Sequence, residues 1–89
     1  MTQGTLEELI DDVWSASGVI FIFHRNRKVY MVDSEDYTSF DKFEKAVIEK
    51  LQGQSAVVMG FTRGAFPIGR ISYNPEVVIG ESLKLKVKK

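Results

Sequence analysis

The chain has 89 residues, with 12 basic and 12 acidic side chains, one histidine and no cysteine. This length suits a single small α+β domain over residues 1–89 with a modest core. The absence of cysteine excludes disulfides, thiolate catalysis and cysteine-based zinc sites. Zero formal charge conceals a split: residues 1–49 hold ten acidic and five basic groups, residues 50–89 two and seven. Opposed fields of this kind bear on partner choice rather than on fold.

The first predicted element is a helix. Thr5-Leu6-Glu7-Glu8 fits a capping box, and Leu6, Leu9, Ile10, Val13 and Trp14 follow at helical spacing. Glu7, Glu8, Asp11 and Asp12 crowd its solvent side, and Ser15-Ala16-Ser17-Gly18 ends it. Val19–Phe23 is apolar at every position, which suits a central strand covered on both sides or one packed at an interface. His24-Arg25-Asn26-Arg27-Lys28 reads as the basic tip of a hairpin into the strand Lys28–Val32. No Asn-Gly or Asp-Gly marks that tip, so its turn type stays open.

Asp33-Ser34-Glu35-Asp36 is an acidic turn, after which Thr38 or Ser39 caps a second helix. Phe40, Phe43, Val47, Ile48 and Leu51 mark its expected buried side, and Gly53 is the expected left-handed residue at its end. Ser55–Phe61 is a third strand, Thr62–Ala65 a tight connection, and Phe66–Tyr73 an extended segment. There Pro67 fits an edge and Gly69 permits a bulge. Val77–Ile79 extends the pattern, and Leu83, Leu85 and Val87 alternate with lysines as in a half-buried strand. No internal repeat shows in the sequence. The expected fold is α+β: two helices on one face of a four- or five-stranded antiparallel or mixed sheet, ordered α-β-β-α-β-β(-β).

No residue set supports catalysis, a cofactor or a metal. His24 is the sole histidine and has basic neighbours, so it reads as a hairpin-end residue without a chemical role. Asp33, Glu35 and Asp36 lack the glycine placement of a calcium loop. Gly60, Gly64 and Gly69 lack the ending of a phosphate loop, and Ser15 and Ser17 lack a base beside them.

The expected function is therefore that of a non-enzymatic protein-interaction module: a small inhibitor, adaptor or phage-type accessory protein. Its expected surfaces are Glu7, Glu8, Asp11 and Asp12 on the first helix and Arg25, Arg27 and Lys28 at the hairpin tip. The alternative is a nucleic-acid-binding module. It would use Arg25, Arg27, Lys28, Arg63, Arg70, Lys84, Lys86 and Lys88 on phosphates, with Phe61, Phe66 or Tyr73 to stack. The lysine strip serves equally as protection of a sheet edge. A homodimer is a further partner class, since it would cover the second face of Val19–Phe23. The first residues lack the basic start and apolar run of a signal peptide, and no run approaches the ~20 residues that span a bilayer. A cytoplasmic protein without a membrane partner is expected.

Overall fold

The computed structural model describes residues 5–75. The elements are α1 (Leu6–Ser15), β1 (Val19–His24), β2 (Val29–Asp33), a 3-10 turn (Ser34–Asp36), α2 (Phe40–Leu51), β3 (Ala56–Phe61) and β4 (Pro67–Tyr73). The strands form one antiparallel sheet in the order β2-β1-β3-β4, with both helices packed on the same face. The small α+β architecture is as expected, with four antiparallel strands among the described residues. The Val77–Ile79 and Leu83–Val87 segments, with Lys84, Lys86 and Lys88, lie outside the described residues.

Local chemistry explains the helix limits. The Thr5 hydroxyl accepts from the Glu8 amide, and the Glu8 carboxylate accepts from the Thr5 amide, completing the capping box. At the other end the amides of Ser17 and Gly18 reach back to the carbonyls of Trp14 and Val13, with Ser17 left-handed at φ 54°. This is a Schellman closure with serine where glycine usually stands. Ser39, rather than Thr38, caps α2 by accepting from the Lys42 amide. Its left-handed C-cap is Gln52 at φ 56°, one residue before Gly53, which is itself at φ 64°.

The two hairpins share one loop geometry. In the first, the His24 amide donates to the Lys28 carbonyl and the Arg27 amide to the His24 carbonyl. In the second, Thr62 and Phe66, and Ala65 and Thr62, repeat those bonds. Each is a three-residue loop whose last residue is left-handed: Arg27 at φ 72° and Ala65 at φ 70°. Neither residue is glycine, and a side chain in this region is strained. Arg27→Gly is therefore expected to stabilise the fold by about 0.5–1 kcal/mol, the relief exceeding the added chain entropy of glycine. Thermal melts of the two proteins check this.

The topology is thus a repeated α-β-β unit, although the sequence carries no repeat. The two helices exchange places over the sheet. α1 lies mainly across β4 and meets β3 and β1 equally, whereas α2 lies across β1 and β2. Each unit's helix covers strands of the other, so neither buries its apolar stripe alone. Leu9, Ile10, Val13, Phe43, Val47 and Leu51 meet Ile20, Ile22, Val32 and Val58 in one core. Trp14 joins the helices, with its ring 5.6 Å from Phe43 and 6.2 Å from Phe40. Ile48, expected inside, is 41% exposed, because the α2 face that meets the sheet is the one carrying Phe43, Val47 and Leu51. Gly60 lies directly beneath α1, where a Cβ would run into Val13 and Leu9. Pro67 opens β4 at the sheet edge. An irregularity between Gly60 and Phe61 leaves Ile68 as the extra residue beside Gly69.

Candidate functional site

The sheet has a second face, and no described element covers it. Strand alternation sends Ile20, Ile22, Val32, Ala56 and Val58 to the helices, so their neighbours point the other way. The register then sets three rows across that face. Asp33, Val19, Phe61 and Pro67 form the first, Met31, Phe21, Met59 and Arg70 the second, and Val29, Phe23, Val57 and Ser72 the third. An antiparallel sheet facing water is ordinarily polar on that side. Here both inner strands are apolar in every row. Met31 is 56% exposed, Val29 53% and Phe23 38%.

The aromatic rings on this face hold one another. Phe21 stacks on Phe23 at 6.4 Å and meets Phe61 edge-on at 5.9 Å. From strand spacing and rise, the face measures roughly 19 by 18 Å, or about 350 Å² in projection. Nine of the twelve positions are apolar, and the largest apolar patch of a folded domain is often a functional one.

One end of the face is walled. The β3–β4 loop curls beside it, and Thr62, Arg63 and Ala65 join Val19, Phe21, Phe23, Met31 and Phe61 around a concavity of about 550 Å³. Arg63 fixes that wall. Its guanidinium donates to both Asp33 carboxylate oxygens, at 3.1 and 2.6 Å, lies 3.4 Å from Glu35, and reaches the Ser17 carbonyl. The fork-to-carboxylate geometry gives direction as well as attraction. The site as a whole is an apolar shelf with one polar clamp, suited to burying a nonpolar surface.

No family model, curated protein or solved structure matches the chain. The site must therefore be read from its own chemistry.

The residues expected to bind partners are placed in separate regions. Glu7, Glu8, Asp11 and Asp12 are exposed on α1, on the helix side of the sheet and away from the apolar face. Glu8 is also engaged in the helix cap. Arg25, Arg27 and Lys28 are exposed at the β1–β2 tip. Arg63 is not part of that basic group. It sits at the start of β1, one strand length (~20 Å) from the tip, and is committed to Asp33 and Glu35. Arg70 is exposed in the middle of β4. Sequence reasoning anticipated the second face of β1 but missed its continuation into Val57, Met59 and Phe61. The signal was present in Ala56–Met59, another run apolar at successive positions.

His24 stands at the hairpin end, as expected, with its side chain turned inward. It is buried, 6% exposed, and its Nε2 lies 2.8 Å from the Lys50 carbonyl in the last turn of α2. A carbonyl only accepts, so Nε2 carries the hydrogen there. The ring thus ties the end of β1 to the end of α2 and packs edge-on against Tyr30 at 5.5 Å. The acidic turn likewise has a structural occupation. Asp33 accepts from the Glu35 amide, which shapes the 3-10 turn, and its carboxylate holds Arg63. Among the described residues no group of three or more acidic or histidine side chains is arranged to hold a metal, and no helix is long and apolar enough to cross a membrane.

Proposed function

We propose that this protein is a non-enzymatic protein-interaction module that binds through the uncovered sheet face. The supporting observation is the continuity of apolar side chains along β1 and β3, extended by Val29 and Met31 of β2, where a solvent-facing sheet would carry polar ones. A partner that supplies an apolar surface would displace water from Phe23, Val29 and Met31 and seat a side chain in the concavity beside Arg63. The charged groups on α1 and at the hairpin tip act at longer range, steering the approach without forming the contact. An inhibitor or adaptor in the cytoplasm requires no more than such a surface.

Capture assays on three proteins distinguish these roles. Met31→Lys combined with Phe23→Lys is expected to weaken capture of protein partners at least tenfold, a loss of about 1.4 kcal/mol. Reversing Asp11 and Asp12, or Arg25 and Arg27, is expected to slow association and to change its salt dependence. Undiminished capture by the Met31/Phe23 variant would reject the sheet face.

The nucleic-acid reading has one observation in its favour: Phe21, Phe23 and Phe61 form an aromatic cluster on the two inner strands of an open sheet. Single strands stack on such platforms when cations track the backbone. The three rows hold one cation, Arg70, and one carboxylate, Asp33. Fluorescence titration with single-stranded oligonucleotides at low and high salt tests this reading, which requires salt-sensitive affinity.

A further inference from the structure

Before any partner arrives, we propose, the walled end of the sheet face is covered by residues 83–89 of this same chain. Leu83, Leu85 and Val87 lie in the concavity beside Arg63, and Lys88 and Lys89 meet the acidic corner formed by Asp33, Glu35 and Asp36.

The place where the described chain stops makes this reachable. β4 runs from Pro67 in the first row to Tyr73, which pairs with Ala56 beside His24 at the hairpin-tip end. Residues 74–82 extend to ~30 Å, more than the ~20 Å back along β4 to its start. A hairpin turning at Asn74-Pro75 would itself pair residue 82 with Pro67, so Leu83–Lys89 runs past the start of β4 in that case too. From there Leu83 to Val87 spans ~14 Å when extended, which is the width of the sheet from β4 to β2.

Pattern and charge select the walled end. Alternation gives the strip one apolar side, Leu83, Leu85 and Val87, and one basic side. The concavity offers Val19, Phe21, Met31 and Phe61 to the apolar side. Just beyond it, three carboxylates, Asp33, Glu35 and Asp36, face one guanidinium, Arg63, and both Glu35 and Asp36 are exposed. That corner keeps a surplus of negative charge for the terminal lysines. The opposite end of the face borders Arg25, Arg27 and Lys28, which repel them.

Tethering selects this segment over a separate chain. A face of about 350 Å² falls well short of the ~800 Å² per partner of a standard interface. A segment joined to the domain acts at an effective concentration in the millimolar range, so a small contact suffices. The cover is therefore reversible, and the covered fraction lowers the apparent affinity for any partner at this face.

The test uses the full chain, whose lack of cysteine makes paired substitutions unambiguous. Met31→Cys with Lys86→Cys, treated with a short bismaleimide at low protein concentration, is expected to close internally at 10.1 kDa. Lys45→Cys with Lys86→Cys is expected to stay open, because Lys45 is exposed on α2, across the sheet. Equal closure of both pairs, or closure of neither, overturns the proposal. A product of doubled mass instead overturns it in favour of a second copy. Glu35→Lys with Asp36→Lys is expected to slow closure of the Met31/Lys86 pair about threefold while the circular dichroism spectrum is kept. Adding Lys88→Glu and Lys89→Glu should restore the rate, and closure indifferent to both changes overturns the acidic corner as the lysine site. The partner-binding reading is decided separately. Closure together with capture that survives Met31→Lys and Phe23→Lys keeps the cover and rejects the binding face, whereas no closure with capture lost does the reverse.

Discussion

Gly18→Ala is expected to destabilise the protein by about 3 kcal/mol, a large share of the ~5–15 kcal/mol that holds a small domain folded. A Cβ at Gly18 would meet the Phe61 carbonyl oxygen, a backbone atom, with the Ile68 side chain 3.3 Å away. A flexible neighbour could step aside, but the end of β3 cannot do so without disturbing its pairing with Val19. The position is also anchored in both directions. The Gly18 amide donates to Val13 in the closing turn of α1, and its carbonyl accepts from the Ser34 amide at 3.1 Å. The α1–β1 turn, the end of β2 and the end of β3 thus converge on one residue with no room for a methyl group. At this chain length the melting temperature should fall by roughly 12–20 °C, read by thermal circular dichroism. A drop below 3 °C would show that the turn moves away freely.

Phe43→Ala is expected to cost about 3–5 kcal/mol, through lost burial and the cavity left behind. Phe43 is the largest fully buried side chain, lying between Trp14 and Tyr37 at ring separations of 5.6 and 6.1 Å. It stands where the helices meet the sheet and each other, so collapse around the void is resisted from three directions. Ile48→Ala supplies the contrast on the same helix. Ile48 is 41% exposed, so its truncation should cost less than about 1 kcal/mol. Urea denaturation of both variants measures the difference, and equal losses would contradict the placement of α2.

The comparison of Phe43 with Ile48 also shows where sequence reasoning stops. Spacing identified an apolar stripe on α2, but a stripe of five residues is wider than the contact a sheet offers. Which border residue stays outside depends on how the helix sits. The capping box at Thr5 and the start of β4 at Pro67 were legible, because both follow from hydrogen-bond chemistry within a few residues. The hairpin tips were not, because Arg27 and Ala65 take a conformation that their side chains disfavour and that only strand pairing enforces. The inward turn of the His24 ring was not legible for a similar reason. Its partner, the Lys50 carbonyl, lies 26 residues away and belongs to another element.

The sequence by itself determined the element order, the α+β class, both helix N-caps to within a residue, and the unusual apolarity of β1. These depend on local periodicity and short-range hydrogen bonds. Tertiary structure alone decided that β1 and β3 lie side by side, merging two ambiguous apolar runs into one exposed surface. It also paired Arg63 with Asp33 at 2.6 Å. Strand order and long-range ion pairs depend on which distant segments pack together, and nothing in the spacing of neighbouring residues encodes that choice.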